Sequence, residues 1–292
     1  MFSTWLRWWF LLPIFITMGA NAQTVSGKLY FSPDQDLYVR MEVKTTVSQQ
    51  VMGKAISFEV DGLGLYNFHV LDTTGARAQL EHSPQRISFE FQGMGQKHSF
   101  DSDDSTDMAG RYGSSIRNIL ARKFKVVMNE YGTVLMTSPG KIDLVKTDDR
   151  LAIILSMIED IPDMVYPPSE GEKSFFSVLP GKEVTIGESW SDSTVNIRGK
   201  IKNVYTLNAV TDSIIIVEVK TNTVTANKAI IMGSETVTTL NSTGTGKIII
   251  DKKTGLLKEK KIITESSGTM QAMGGSTPVT SKSYLSIYVN PR

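Results

Sequence analysis

Apolar and polar residues alternate with a period of two along most of the chain. In Leu37–Lys44, tyrosine and charged residues alternate with four apolar residues, namely Leu37, Val39, Met41 and Val43. This alternation predicts half-buried antiparallel strands with one face on the core and one face in water. The same pattern recurs in Ile56–Val60, Tyr66–Val70, Ala76–Leu80 and Ile87–Phe91. Turn-forming residues separate these segments, so the first half of the chain is predicted to fold as a β-meander.

Helical spacing replaces the alternation in the middle of the chain. The segment Asp148–Ile161 has an apolar stripe at intervals of three and four residues, formed by Leu151, Ile154, Leu155, Ile158 and Ile161. An aspartate at its start can cap a helix, and Pro162 is expected to end it. A second, short helix is predicted over Ser114–Lys123.

Strand-like alternation returns in the second half of the chain. Seven strands are predicted there, over Ser193–Ile201, Asn203–Val210, Ile214–Thr223, Ala229–Leu240, Gly246–Ile250, Leu256–Thr264 and Ser283–Val289. The strand–turn–strand pattern of Gly246–Leu257 resembles that of Phe124–Leu135, which indicates a weak internal duplication. The stretch Ser266–Pro278 is rich in Gly, Ser and Met, and we expect it to be a mobile loop.

The predicted fold class is mainly β. We expect two antiparallel curved sheets, each a β-meander shaped like half a barrel, with one or two short connecting helices. The predicted organisation begins with a signal peptide over residues 1–22. An N-terminal β-meander half over residues 23–165 follows and includes the 148–161 helix. A C-terminal β-meander half over residues 166–292 completes the chain.

The first 22 residues have the three parts of a secretory signal peptide. Arg7 supplies positive charge before the apolar segment Phe10–Met18, and Ala20–Ala22 has the small-x-small pattern of a cleavage site. The apolar segment is shorter than the roughly 20 residues of a membrane span. We therefore expect a mature chain that starts near Gln23, has no transmembrane segment, and is periplasmic or otherwise exported.

Composition excludes several functional classes. The chain has no cysteine, which excludes disulfides, thiol catalysis and lipid attachment through an N-terminal cysteine. The 31 Lys and Arg residues, less Arg7 of the signal peptide, equal the 30 Asp and Glu residues in number. This balance gives no overall attraction to polyanions, so we predict no nucleic-acid partner.

No motif for catalysis or metal binding has its required context. Ser138–Lys141 and Lys253–Gly255 match two motifs of penicillin-recognising serine enzymes, but both are predicted in turns rather than at a helix start. The acidic stretch Asp101–Asp107 lacks the glycine and the distal glutamate of the helix-loop-helix calcium motif. None of the three histidines is spaced for zinc: His69, His82 and His98. We predict no enzyme activity and no cofactor, although a glycosidase-type carboxylate pair would leave no local signature.

The most specific stretch of the chain is Leu179–Trp190, with the sequence LPGKEVTIGESW. A proline and a basic residue, then Val-x-x-Gly-Glu-Ser-Trp and alternating strands, resemble an uncharacterised family of exported β-rich proteins of Bacteroidetes, domain of unknown function 6263. Phe100–Ser102, Asn129–Val134 and Gly246–Leu256 are similar to that family as well. The family has no established activity, so the resemblance implies no catalytic residues. On physical grounds, Trp190 is predicted to anchor the core of the second half.

The main functional hypothesis is a non-enzymatic cell-envelope protein that binds or carries a hydrophobic ligand or a lipoprotein. A curved sheet must cover its apolar face, and the few predicted helices leave room for a lined cavity. The predicted lining residues are Met41, Val43, Phe58, Phe89 and Phe91. Ordinary core packing is the alternative interpretation of these five residues. The alternative function is a structural or protein-interaction module whose partner is another envelope protein, without a small ligand.

Overall fold

The computed structural model describes residues 24–51, 54–93, 95–139, 149–196, 199–231, 234–272 and 275–290. The predicted signal peptide, residues 1–22, lies outside the described residues. Within these ranges a 12-stranded antiparallel sheet dominates, together with a two-stranded pair and four helices. None of the described helices combines the length and the apolar character that crossing a membrane requires.

The first half of the chain forms one side of the large sheet. Its strands are β1 (Thr24–Val25), β2 (Asp36–Val51), β3 (Lys54–Asp72), β4 (Arg77–Gly93), β5 (Gln96–Asp101), β6 (Phe124–Asn129) and β7 (Val134–Ser138). Strands β2, β3 and β4 pair in sequence order, as the predicted meander requires. Both β5 and β6 pair with β4, along different parts of it, and β7 pairs with β6. The mainly β, antiparallel prediction is confirmed.

The second half of the chain continues the same sheet. Its strands are β8 (Val184–Thr185), β9 (Ser189–Asn196), β10 (Gly199–Val210), β11 (Ile214–Ile231), β12 (Ser234–Asp251), β13 (Leu257–Ala272) and β14 (Gly275–Val289). Strands β9 to β14 pair in sequence order, and β14 then pairs with β2. The two predicted meanders are therefore joined edge to edge, while β1 and β8 form the separate pair. Along the described strands the order runs from β7 to β9 without closing.

The prediction of a mobile loop over Ser266–Pro278 is wrong. Strands β13 and β14 run through this stretch and pair as far as Ala272 opposite Gly275. Low hydrophobicity does not prevent strand formation here, because the main chain of β13 is hydrogen-bonded to a strand on each side. A Cβ atom at Gly268 would lie 1.9 Å from the carbonyl oxygen of Thr239. The glycine therefore permits a close approach of two strands rather than a loop.

Four helices lie within the described residues: α1 (Ser105–Ala109), α2 (Gly113–Leu120), α3 (Asp149–Met157) and α4 (Asp160–Asp163). Helix α2 confirms the helix predicted over Ser114–Lys123. The helix predicted over Asp148–Ile161 is divided in two, and Pro162 lies inside α4 rather than after its end. Proline is tolerated there because the first N–H groups of a helix have no partner within the helix. The predicted apolar stripe from Leu151 to Ile161 is buried.

The core lies on one face of the large sheet, which we call the covered face. Every second residue of β2 from Leu37 to Val43 points to this face and is at most 2% exposed. Buried residues from both halves of the chain belong to one continuous core. A Cβ atom at Gly62 of β3 would lie 2.8 Å from Ile158 and 2.9 Å from Ile161. The α3–α4 region therefore packs directly on bare main chain at this point of β3.

The segment after β1 connects the two halves at one end of the sheet. The main-chain N–H of Leu29 donates to the carbonyl of Glu130 in the β6–β7 turn, at 2.7 Å. The N–H of Tyr30 donates to the carbonyl of Thr254 in the β12–β13 turn, at 2.8 Å. These two turns belong to the strand–turn–strand segments that resemble each other in sequence. One short segment therefore hydrogen-bonds to corresponding turns of the two meanders.

His82 is buried in the core without a polar partner. Its ring points from β4 into an aromatic cluster, with ring centroids 4.5 Å from Phe124, 4.6 Å from Phe68 and 5.7 Å from Tyr66. The residue is 0% exposed, and neither ring nitrogen has a hydrogen-bond partner among the described residues. Burial lowers the pKa of His82 from its ordinary value of 6.5 to about 3. The imidazole is therefore neutral in the folded protein at physiological pH.

The buried His82 predicts a loss of stability in acid. Below pH 6.5 the unfolded chain protonates this ring, whereas the folded chain does so only near pH 3. The free energy of unfolding therefore falls as the pH drops through this window, by up to about 1.4 kcal/mol per pH unit from this group. We expect His82→Phe to flatten that slope, as measured by urea denaturation at several pH values. The exposed control His98→Gln should keep the wild-type slope, and a wild-type slope in His82→Phe would contradict the prediction.

Replacing Gly62 with alanine tests the contact between the sheet and the α3–α4 region. The new methyl group would overlap Ile158 and Ile161, and overpacking of this kind costs about 1–3 kcal/mol of unfolding free energy. The matched control is Gly181→Ala, whose Cβ atom would lie 3.5 Å from the Tyr131 ring, an ordinary contact. We expect Gly62→Ala alone to lower the midpoint of urea denaturation, and equal midpoints for the two variants would show that the packing is not tight.

Candidate functional site

The structure separates the predicted lining residues into two groups. Met41, Val43 and Phe89 are 2%, 2% and 3% exposed and belong to the core. Phe58 and Phe91 are half-buried, and their rings stack with centroids 6.1 Å apart. Strand register places all five residues on the covered face. Only the Phe58–Phe91 pair is open to a ligand from solvent, and the lining role of the five residues stays a prediction.

The Phe58–Phe91 pair lies where β3 and β4 extend beyond the helices. Phe58 is opposite Gly93 of β4, and a Cβ atom at Gly93 would lie 2.6 Å from the Phe58 ring. His98 of β5 stacks on Phe91, with ring centroids 6.4 Å apart. The result is a small, partly exposed aromatic surface beside the core.

The covered face becomes polar beyond the core. One row of residues crosses seven strands in register, and its members are Thr45, Ser283, Thr264, Gly244, Thr221, Asn203 and Asp192. The Thr45 and Ser283 hydroxyl oxygens are 2.9 Å apart, and the Thr221 hydroxyl donates to Asn203 at 2.9 Å. The Asn203 amide donates to Asp192 at 2.8 Å. These side chains satisfy one another, so this row marks the limit of the apolar core.

Trp190 and its neighbours close the core near the edge strand β9. The indole N–H of Trp190 donates to the carbonyl of Val178 at 3.1 Å, and its ring stacks on Tyr205 at 5.7 Å. The Tyr205 hydroxyl donates to Asp192 at 3.0 Å. Burial, with the Asp192 charge, raises the pKa of Tyr205 above its ordinary value. The predicted anchoring role of Trp190 is confirmed by these contacts, since the ring packs against the core.

The acidic stretch Asp101–Asp107 is engaged by protein donors. The Arg86 guanidinium donates to Asp101 at 2.9 Å, and this hydrogen bond is the main reason that the pKa of Asp101 is lowered. The carboxylate of Asp104 accepts the N–H of Thr106 at 2.7 Å and caps α1. Among the described residues, no group of three or more histidine or acidic side chains is arranged to hold a metal ion.

The two motifs that match serine enzymes lie in different surroundings. Ser138 ends β7 and precedes Pro139, while Lys141 lies outside the described residues. Lys253–Gly255 forms the β12–β13 turn, in which the Asp251 carboxylate accepts the N–H of Lys253 at 3.1 Å and that of Thr254 at 2.9 Å. The turn prediction for Lys253–Gly255 is therefore confirmed.

The opposite face of the sheet, which we call the open face, carries the side chains that alternate with the core residues. A trough with a volume of about 830 Å³ crosses β2, β14, β13, β12, β11 and β10 on this face. Sixteen residues line it, and strand register places the side chains of 12 of them on the open face: five serines or threonines, two asparagines, three lysines, Glu265 and Val224. The other four, Thr223, Ser242, Ser266 and Ser281, are at the alternate positions of their strands. We call it the hydroxyl trough.

A second concavity on the open face has a volume of about 690 Å³ and crosses β5, β4, β3, β2 and β14. Most of its charged side chains form ion pairs within the sheet. Lys44 lies 2.5 Å from Glu59 and 3.4 Å from Asp61, and Lys97 lies 2.7 Å from Glu90. These pairs leave fewer groups free to bind a ligand than the hydroxyl trough offers.

The sequence analysis missed the hydroxyl trough. The stretch Ser266–Pro278 contributes Ser266 and Ser267 to its lining, and its richness in Gly, Ser and Met predicts a loop instead. Lys200 and Lys202 could have indicated a polar surface here. They are two residues apart on β10, so their side chains lie on the same face of the sheet.

Three solved structures align along most of the chain at very low identity. The COG4313 outer membrane channel from Pseudomonas putida F1 is 7% identical with a TM-score of 0.27, over 90% of this chain and 97% of that chain. The β domain of the Bordetella autotransporter BrkA is 9% identical with a TM-score of 0.21, over 87% and 99% of the two chains. OpdQ from Pseudomonas aeruginosa is 7% identical with a TM-score of 0.21, over 88% and 99%. Similarity this low identifies neither fold nor function.

No curated protein matches the sequence. A family model does match residues 170–257, a range that contains both Leu179–Trp190 and Gly246–Leu256. Phe100–Ser102 and Asn129–Val134 lie outside the matched range, and the association with Bacteroidetes stays a prediction. Residues 170–257 thus carry the signature of DUF6263, a family of unknown function, which confirms the predicted resemblance over that part of the chain.

Proposed function

We propose that this chain is an exported, non-enzymatic protein of the cell envelope that binds a polar ligand in the hydroxyl trough. The observation that supports it most is the difference between the two faces of the sheet. The core occupies the covered face up to the row from Thr45 to Asp192, whereas the open face holds a trough of about 830 Å³. Ligand sites commonly have volumes of about 300–1,000 Å³. Seven of the 12 lining residues with side chains on the open face are serine, threonine or asparagine, which donate and accept hydrogen bonds without charge.

The chemistry of the trough favours binding over catalysis. A serine or threonine hydroxyl becomes a nucleophile only beside a general base. No histidine lines the trough within the described residues, and its one carboxylate, Glu265, is 3.0 Å from Lys282.

Export is supported by the signal-peptide pattern of residues 1–22.

Filling the trough should remove the ligand. Asn241 is exposed on β12 within the trough, so Asn241→Trp should occupy the site without disturbing the core. We expect a hydrophilic molecule to co-purify with wild-type protein from a periplasm, detected by native mass spectrometry, and to be absent from Asn241→Trp. The control Thr245→Trp adds the same ring to the same strand and face outside the trough. A ligand-free wild-type mass would contradict the proposal and favour the protein-interaction alternative.

A second candidate function is the carrier of a hydrophobic ligand or lipoprotein. The half-buried Phe58–Phe91 stack favours it, because these rings extend the apolar surface of the covered face beyond the core. This stack would contact an acyl chain that lies against the sheet. The apolar surface that the two rings offer is small compared with the lining of a closed apolar cavity.

The double variant Phe58→Ala/Phe91→Ala tests the carrier candidate. If the stack binds an apolar ligand, organic extraction of wild-type protein should release a stoichiometric lipid that the double variant lacks. The control Tyr38→Ala removes an aromatic ring that is 56% exposed elsewhere on β2. Circular dichroism must show that the double variant is folded. Unfolding of the double variant would assign the stack to the core, and a lipid-free wild type would exclude the carrier candidate.

A further inference from the structure

The shape of the hydroxyl trough indicates an extended ligand, an inference that rests on the proposed function. The trough crosses six neighbouring strands, from β10 to β2. Five interstrand spacings of roughly 4.8 Å give a length of about 24 Å. Side chains along it, such as Asn222, Asn241 and Thr243, are exposed rather than enclosed. A long, open site of this kind contacts a polymer along several units instead of surrounding a small molecule.

The lining of the trough suits a hydroxylated polymer. No aromatic residue lines it, and Val224 is its one apolar lining residue within the described chain. A peptide ligand would find no pockets for apolar side chains, and nucleic-acid bases would find no rings on which to stack. Serine, threonine and asparagine side chains instead offer donors and acceptors at short intervals. Asn241, Ser267 and Thr280, for example, are direct cross-strand neighbours on three adjacent strands of the open face.

The trough has an excess of positive charge at its β10 end. Lys282 is paired with Glu265 at 3.0 Å. Lys200 and Lys202 lie on the same face of β10, roughly 7 Å apart along the strand. Their cross-strand neighbours are neutral: Val195 and Val224 flank Lys200, and Ser193 and Asn222 flank Lys202. Two lysines with neutral neighbours on both sides form a site for an anionic group.

We propose that the hydroxyl trough binds an acidic polysaccharide. Lys200 and Lys202 hold an anionic substituent of the polymer, and the serine, threonine and asparagine side chains hydrogen-bond its hydroxyl groups. The polymer lies across the strands, from β10 toward β2. The positive charge at one end of the trough sets the direction in which the polymer lies and the position of its units along the trough.

Charged and neutral versions of the same polymer test this proposal. The probes are polygalacturonate with its methyl ester, and dextran sulfate with dextran, measured by isothermal titration calorimetry. We expect at least one acidic polymer to bind about tenfold more tightly than its neutral form at low salt. This difference should shrink at about 1 M salt, because charges on an open surface are screened.

Lysine variants then locate the charge. Lys200→Gln/Lys202→Gln should weaken binding of the acidic polymer about fivefold and leave binding of the neutral form unchanged. The control Lys123→Gln/Lys253→Gln removes two exposed lysines outside the trough, so it should bind as wild type does. Equal binding by both double variants would overturn the role of Lys200 and Lys202.

The remaining outcomes separate this inference from the proposed function. If acidic and neutral polymers bind equally and Asn241→Trp abolishes both, the charge assignment fails while polar-ligand binding in the trough stands. If polyglutamate binds as tightly as the acidic polysaccharides, the polysaccharide assignment fails. If no polymer binds, the inference is overturned, and the co-purification experiment decides the proposed function separately.

Discussion

The antiparallel pairing of β2 with β14 is the contact on which the rest of the fold depends. It joins the first long strand to the last, with Met41 opposite Ile287 and Val43 opposite Leu285. Bringing such distant segments together costs loop-closure entropy, which the burial of these apolar pairs offsets. Because the two meanders share this junction, their buried residues form one core, and the open face extends without interruption from β10 across β2.

The long strands have two different environments along their length. Near the helices, alternation of apolar and polar residues gives a covered face and an open face. Beyond the row from Thr45 to Asp192, serine and threonine are common on both faces, and the main-chain ladder supports the strands. This extension creates a broad polar surface that the core does not need. A polar surface of that kind can vary in sequence with little effect on stability, because its side chains are not packed in the core.

Sequence reasoning worked where burial imposes a period and failed where it does not. The alternation in Leu37–Val43 and the helical stripe from Leu151 to Ile161 both marked buried faces correctly. Ser266–Pro278 carries no such period, so its strand pairing depends on neighbours that are distant in sequence. His82 was equally hard to predict, because an isolated histidine on a strand gives no sign that three aromatic rings surround it.

The sequence by itself determined the class of the fold and the strands and helices that border the core, because both follow from the local spacing of apolar groups. It also determined the anchoring role of Trp190, because a ring of that size buries a large apolar area. The tertiary structure alone decided that β14 joins β2, that Met41, Val43 and Phe89 lie inside the core, and that a polar trough crosses six strands. Those features depend on register and curvature. Register and curvature arise from contacts between residues far apart in the chain, and a local sequence pattern does not predict such contacts.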